Sequence, residues 1–156
     1  MHLKKIGLCL TALLSSALFQ TQASEFDQYL QSKQIIDTNF KIQQPKQLDE
    51  LLGVLSAEDS KTLPLEIDHN TIIEQLNLSS KKTELKGMII TPDFAQFEEE
   101  LGTKEVQKLI KKNLLHNCKV FFEHEYQKNN PYIVELSLSS EKNTYELKIT
   151  QKDCRE

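Results

Sequence analysis

Cys118 and Cys154 constrain the fold of this chain more than any other feature. They are two of three cysteines in 156 residues, and the third, Cys9, lies in an N-terminal segment that we expect to be removed. Two cysteines in an oxidising compartment favour a disulfide, with two free thiols or a metal-binding pair as the alternatives. A bridge between positions 118 and 154 closes a loop of about 36 residues, which stabilises a fold by roughly 3–4 kcal/mol on the chain-entropy model. The sequence therefore predicts a small domain whose C-terminal end is covalently joined to its middle.

The first 23 residues have the three parts of a signal peptide. Lys4 and Lys5 form a positive start, residues 6–19 are almost wholly apolar or small, and Thr21-Gln22-Ala23 offers small residues to a signal peptidase. The apolar run of 14 residues is shorter than the roughly 20 residues that span a bilayer, which disfavours a membrane anchor. We expect cleavage near Ala23, followed by localisation in the periplasm or secretion.

The charge of the processed chain limits its partners. Cleavage after Ala23 removes two lysines and no acids, so that residues 24–156 carry a net charge of −6. This balance disfavours nucleic acid and anionic membrane surfaces as partners, and it permits a basic protein partner. No second long apolar stretch follows the signal, and we expect no integral membrane segment after processing.

Residues 24–62 predict one or two short helices. Ser24 is a suitable N-terminal cap for the first helix, with Phe26 and Tyr29 on one face. Pro45 suits the first turn of the second helix. An apolar stripe at helical spacing supports this second helix and consists of Leu48, Leu51, Leu52 and Leu55.

Two β hairpins are predicted in the remainder of the chain. The first joins residues 71–78 to residues 84–91 through a polar loop. In the second hairpin, residues 134–139 and 145–150 alternate apolar and polar side chains. Such alternation is typical of an antiparallel pair with one face in the core and one in water.

The segment between the hairpins has apolar residues at helical spacing and ends near Cys118. Its pattern begins after Pro92 and is interrupted at Gly102, while residues 119–128 fit either a helix or a strand. The order of elements predicts an α+β fold, an antiparallel sheet of two hairpins with a central helix packed on one face, preceded by one or two short helices. We divide the chain into a signal peptide (1–23), a helical N-terminal segment (24–62) and a disulfide-closed α+β domain (63–156).

The histidines do not form a predicted catalytic or metal site. His69 follows Asp68 in an extended segment, where adjacent side chains point to opposite sides. His116 and His124 flank Cys118 with the residue types of a zinc site, but the predicted disulfide occupies that sulfur. The sequence also lacks a glycine-rich phosphate loop and a nucleophile elbow. We predict no enzyme activity, no catalytic residue, no metal and no cofactor.

Residues 63–154 contain a series of landmarks: Leu63-Pro64 with Asp68 and Thr71, a hairpin, a helix ending at Cys118, a second hairpin, and the closing Asp153-Cys154. This series resembles a domain of uncharacterised exported proteins from Gram-negative bacteria, some of which are labelled quorum-sensing-regulated virulence factors. The chain departs from that family at residues 129–131, where Asn-Asn-Pro replaces an expected glycine. The resemblance implies a periplasmic α+β domain, and it implies no activity and no functional residue.

These features together predict a non-catalytic binding or interaction protein of the periplasm, such as an inhibitor, an immunity protein or an envelope accessory. The expected partner is another exported or envelope protein. The alternative is a small-ligand carrier or a hydrolytic enzyme with a pocket between the sheet and the helices. The candidate contact surface combines N-terminal aromatic residues with a run of acids and consists of Phe26, Tyr29, Glu98, Glu99 and Glu100.

Overall fold

The computed structural model describes residues 23–116 and 118–155, so residues 1–22 of the predicted signal peptide lie outside the described part of the chain. The helices are α1 (Glu25–Ser32), α2 (Pro45–Asp59), α3 (Phe94–Leu101), α4 (Thr103–Leu115), α5 (Cys118–Phe121) and α6 (Glu125–Asn129). The strands are β1 (Leu65–Asp68), β2 (Thr71–Leu78), β3 (Lys82–Ile89), β4 (Ile133–Ser139) and β5 (Thr144–Thr150). Short 3-10 turns, Ser60–Thr62 and Asp153–Arg155, follow α2 and β5. In the part of the chain that the structure describes, every helix is too short or too polar to span a bilayer.

The five strands form one mixed sheet in which β1 to β5 lie side by side in chain order. The pairs β1–β2, β2–β3 and β4–β5 are antiparallel, whereas β3 and β4 are parallel. The prediction of an α+β fold with two hairpins is confirmed, but the prediction of a wholly antiparallel sheet was wrong. After β3 the chain passes through four helices before it enters β4 beside β3 in the same direction, and a parallel pair requires such a crossover.

Four helices occupy the segment in which one central helix was predicted. Gly102 separates α3 from α4 with a φ of 82°, a left-handed conformation that glycine adopts without steric cost. Residues 119–128, for which helix and strand were both open, belong largely to the short helices α5 and α6. The first hairpin turn is also shorter than predicted, because β3 begins at Lys82.

Burial alternates along the two C-terminal strands and identifies the covered face of the sheet. Tyr145, Leu147 and Ile149 of β5 are buried, whereas Glu146 and Lys148 between them are exposed. Strand β4 repeats the alternation. The second hairpin therefore has the one buried and one solvated face that its sequence predicts.

The covered face carries two clusters of buried side chains. The first cluster unites α1, α2 and α6 with the sheet and contains Leu30, Ile35, Ile36, Leu48, Leu52, Phe122, Tyr126, Tyr132, Val134 and Ile149. The second lies between α4 and the sheet and contains Ile73, Val106, Leu136, Leu138, Tyr145 and Leu147. The helices of residues 24–62 thus contribute to the same core as the C-terminal strands.

Gly87 of β3 generates a stability prediction because a side chain does not fit there. A Cβ atom at this position would lie 2.3 Å from the backbone oxygen of Ile72 on the neighbouring strand. We expect Gly87→Ala to lower the free energy of unfolding by about 1–3 kcal/mol, since the strands must separate locally. Denaturant unfolding of a protein that comprises residues 24–156 measures this change.

Gly53 supplies the matched control, since it lies inside α2 with no atom within 4 Å of an added Cβ. Gly53→Ala is expected to raise the free energy of unfolding by roughly 0.5–1 kcal/mol, because alanine has less backbone freedom to lose in a helix. Equal effects of the two substitutions would contradict the close approach of β2 and β3 at Gly87.

Candidate functional site

A buried polar cluster joins the start of α1 to the start of α6. The Asp27 side chain is fully buried. Its carboxylate accepts hydrogen bonds from the Ser24 hydroxyl at 2.7 Å and from the backbone N–H groups of Glu125 at 3.0 Å and Tyr126 at 3.4 Å. His124 Nδ1 lies 2.9 Å from Ser24 Oγ. Residues about 100 positions apart in the sequence are thereby held together by one carboxylate.

Ser24, Asp27 and His124 are the residue types of a hydrolytic triad, but their arrangement differs from one. In a triad the imidazole uses one nitrogen for the serine and the other for the carboxylate. Here Asp27 Oδ2 lies 3.9 Å from His124 Nδ1, the same nitrogen that faces Ser24. The Ser24 hydroxyl proton points to Asp27, and Ser24 Oγ also accepts the Asp27 backbone N–H at 3.0 Å. The cluster therefore caps two helices and does not activate the serine.

Aromatic rings enclose the cluster on one side. The His124 ring packs 5.0 Å from Phe26 and is stacked 5.8 Å from Tyr126, measured between ring centroids. Burial and the neighbouring Tyr132 raise the pKa of the Tyr126 hydroxyl above its ordinary value, so Tyr126 stays neutral at physiological pH. Phe26 is half-buried in this packing, which leaves only part of the ring available to a partner.

Glu98 of α3 lies inside the protein, with 4% of its surface exposed. Its Oε1 accepts hydrogen bonds from the Tyr145 hydroxyl at 2.5 Å and from the Ser140 hydroxyl at 2.6 Å. Burial by itself raises the pKa of Glu98, but these hydrogen bonds outweigh it and lower the pKa below its ordinary value. Glu98 therefore fastens α3 to the β4–β5 turn as a carboxylate, and in this conformation it is not accessible to a partner.

The other candidate contact residues lie at the surface in two separate places. Tyr29 of α1 is 45% exposed, with the Lys33 ammonium 5.8 Å from its ring centroid. Glu99 and Glu100 of α3 are exposed, and Glu99 forms an ion pair with Lys142 of the β4–β5 turn. Helix α1 packs in the first core cluster and α3 in the second. The predicted contact residues therefore do not form one compact group, and their role in binding stays a prediction.

The predicted disulfide between Cys118 and Cys154 is confirmed, with 5.7 Å between the two Cα atoms. It joins the first residue of α5 to the turn after β5, across a separation of 36 residues. Asp153 stabilises the same turn, because its carboxylate accepts from the Thr150 backbone N–H and hydroxyl, both at 2.7 Å, and pairs with Lys111 of α4 at 3.2 Å. Hydrogen bonds from Thr150 and Lys111 lower the pKa of Asp153.

The remaining histidines are exposed and lie apart. His69 follows β1, and His116 at the end of α4 makes its hydrogen bond to the Lys112 carbonyl oxygen at 2.8 Å. Among the described residues, no three His, Cys, Asp or Glu side chains converge as ligands for a metal ion. In the described part of the chain, these polar side chains therefore mainly form contacts that stabilise the fold.

A groove of about 370 Å³ runs between α4 and the edge strand β5, and it was not predicted from the sequence. Four lysines line it: Lys104, Lys108, Lys111 and Lys148. Gln107 of α4 reaches across the groove and donates from Nε2 to the Glu146 backbone oxygen at 2.8 Å. The lysine spacing on α4 was visible in the sequence, but only the folded chain places those lysines beside a strand edge.

A second hollow, of about 440 Å³, lies at the other end of the sheet. Strands β2 and β3 line it together with Ser60, and its side chains have mixed charge, including Glu74, Glu84 and Lys86. Lys82 next to it pairs with Glu84 at 2.7 Å and with Glu135 at 2.9 Å. Such exposed pairs contribute little binding energy, which makes this hollow the weaker candidate.

The comparisons with known proteins find distant structural neighbours. Neither a protein-family model nor a curated protein matches the chain. The pilotin EpsS of the Vibrio vulnificus type 2 secretion system aligns with 70% of this chain and 94% of its own length, with 13% identity and a TM-score of 0.49. A "putative secreted protein" of Pseudomonas aeruginosa aligns with 71% of this chain and 96% of its own length, with 12% identity and a TM-score of 0.46. At this level of likeness we base no conclusion on either neighbour, and the resemblance to virulence-factor proteins stays unconfirmed.

We expect Asp27 to stabilise the fold through the hydrogen bonds that it accepts at the start of α6. Asp27→Ala removes the acceptor for two backbone N–H groups at the start of α6, and leaving buried donors without acceptors costs about 1–3 kcal/mol. We expect a loss of that size in the free energy of unfolding, measured by denaturant titration. The matched control is Asp59→Ala, an exposed acid at the end of α2, which should change stability by less than about 0.5 kcal/mol. A similar loss in both variants would contradict the proposed role of Asp27.

We expect the contribution of Glu98 to the free energy of unfolding to depend on pH. Because its pKa is lower in the folded than in the unfolded state, its contribution is present above its ordinary value of 4.5 and is lost as pH falls through the folded pKa. We expect Glu98→Gln to lose on the order of 1 kcal/mol at neutral pH, since charge-assisted hydrogen bonds become neutral ones. The loss should shrink as the pH falls below 4.5.

Thermal unfolding at a series of pH values measures this dependence, with Glu99→Gln as the exposed control. A stability difference between wild type and Glu98→Gln that stays constant down to pH ~2 would show that Glu98 is not held as a carboxylate.

Proposed function

We propose that this chain is an exported, non-catalytic binding protein that contacts another exported or envelope protein. Export is supported by the signal-like residues 1–23 and by the Cys118–Cys154 bridge, because disulfides persist mainly in oxidising compartments. We place the processed chain in the periplasm, or outside the cell, with cleavage near Ala23.

The open edge of β5 beside the lysines of α4 is the observation that carries the binding function. Strand β5 ends the sheet, and an unpaired strand edge presents backbone donors and acceptors to any extended chain that approaches it. Lys104 and Lys108 are exposed at the groove next to this edge. Backbone pairing supplies affinity when a strand is added to a sheet edge, and complementary charges beside the edge supply selectivity.

The enzyme alternative has less support. Its most suitable residues are Ser24, Asp27 and His124, and their hydrogen bonds serve helix capping. The carrier alternative needs a pocket between the sheet and the helices. In the described residues that space holds the two core clusters, and both hollows described above open at the surface.

Photo-crosslinking in the native host tests the binding function. Tyr29, Glu100 and Lys104 are each replaced in turn by benzoylphenylalanine in the full chain, which samples α1, α3 and the groove. Val54, which is 61% exposed on α2, is the control position. We expect a discrete crosslinked adduct at one or more of the three positions and none at Val54, read out by immunoblot and identified by mass spectrometry.

The same samples test the compartment. The recovered protein should begin at Ser24 and contain the intact disulfide, both of which intact-mass analysis shows. Adducts at none of the three positions would contradict a binding function, and reduced cysteines with residues 1–23 still attached would contradict export.

A further inference from the structure

We infer that the groove between α4 and β5 takes up an acidic, extended segment of a partner protein, which pairs with β5 as a sixth strand. The inference rests on the proposed binding function and names the chemistry of the partner. It is carried by two independent features of the groove, the hydrogen-bonding groups on the β5 edge and the charge of α4.

The backbone of β5 has open hydrogen-bonding groups in the middle of its outer edge. In an antiparallel pair, alternate residues bond to the partner strand and the residues between them point away from it. The Glu146 oxygen and the Thr150 N–H point outward, because they bond to Gln107 and Asp153 respectively. By the same alternation the Glu146 N–H and both backbone groups of Lys148 point outward, and no hydrogen bond from another part of the described chain reaches them.

Gln107 of α4 already occupies one acceptor on the β5 edge. Its carboxamide donates to the Glu146 oxygen at 2.8 Å, which is the bond that a backbone N–H of an added strand makes. Gln107 satisfies the Glu146 oxygen and Asp153 satisfies the Thr150 N–H, and the two open backbone groups of Lys148 lie between these points. The edge is therefore suited to a short strand of a few residues.

The charge of α4 selects an acidic strand. Helix α4 contains four lysines and one glutamate, in a processed chain whose net charge is −6. Lys108 and Lys111 have exposed or partly exposed ion partners, Glu105 at 2.6 Å and Asp153 at 3.2 Å, and such surface pairs are worth at most about 1 kcal/mol and exchange readily. An acidic segment that pairs with β5 therefore places its carboxylates next to the lysines of α4.

A second copy of this chain fits the groove less well than an acidic partner. If two β5 strands paired across a two-fold axis, the two sheets would continue into one and both α4 helices would lie on the same covered face. The lysine rows would then face each other, and like charges in contact oppose association. A segment of opposite charge avoids this repulsion.

Peptide binding to the processed, disulfide-bonded chain tests the inference. The probe is a ten-residue peptide of alternating glutamate and threonine with blocked ends, and the matched control peptide has lysine in place of glutamate. NMR titration gives the dissociation constant, and hydrogen exchange reports the Glu146 and Lys148 amides. We expect binding of the acidic peptide alone, with amide exchange at Lys148 slowed about tenfold or more.

Charge-reversal variants separate the groove from the general charge of the protein. The double substitution Lys104→Glu with Lys108→Glu is expected to raise the dissociation constant of the acidic peptide by roughly tenfold. This change corresponds to the loss of two modest charge contacts. The matched control, Lys46→Glu with Lys81→Glu, reverses two exposed lysines elsewhere and should leave the dissociation constant within about twofold.

Several results would overturn the inference. The inference fails if the acidic peptide does not bind, or if it binds the wild type and the Lys104/Lys108 variant equally well. It also fails if the lysine peptide binds as well as the acidic peptide, or if the acidic peptide binds without slowing amide exchange at Lys148. A dimer in sedimentation that the peptide dissociates would assign the edge to a second copy. Crosslinking at Tyr29 or Glu100 without peptide binding would leave the proposed function standing and reject only the strand pairing.

Discussion

The parallel pairing of β3 with β4 is the interaction on which the rest of the fold depends. It joins the three strands β1–β3 to the β4–β5 hairpin, and a two-stranded hairpin alone is at best marginally stable in water. Because parallel neighbours need a long crossover, it also requires the helical segment of residues 94–129 to return along the sheet. The helices α3 to α6 therefore lie where they can cover one face and bury both core clusters.

Two buried carboxylates attach this covering layer at opposite ends. Asp27 connects α1 to α6 by accepting from the backbone of Glu125 and Tyr126, and Glu98 connects α3 to the β4–β5 turn through Ser140 and Tyr145. A buried carboxylate is stable only when it is well hydrogen-bonded. Asp27 accepts three hydrogen bonds, whereas Glu98 accepts two at Oε1 and its buried Oε2 has no hydrogen-bond partner among the described residues. Through these bonds, both acids hold elements of the tertiary structure together.

Charge is distributed unevenly over the molecule. Residues 24–156 are acidic overall, yet α4 is basic and lies beside the open edge of β5. A strand edge by itself is a risk of aggregation, and charged side chains beside it restrict which chains pair there. The same lysines that discourage self-association of this edge therefore favour a partner of the opposite charge.

The local elements and the covalent link could be predicted from the sequence alone. Apolar periodicity identified α1, α2 and the second hairpin, because side-chain spacing within an element reports its own geometry. The first hairpin was predicted from two β-rich segments joined by a polar loop. The two cysteines identified the disulfide between Cys118 and Cys154, because an exported chain with one such pair has a single way to form it.

Only the tertiary structure decided the direction of β3 relative to β4, the burial of Glu98, the meeting of Ser24 with His124, and the place of the α4 lysines beside β5. Each of these depends on residues far apart in the chain. Local periodicity does not encode such contacts, because they form only when whole elements pack and the crossover brings distant segments together.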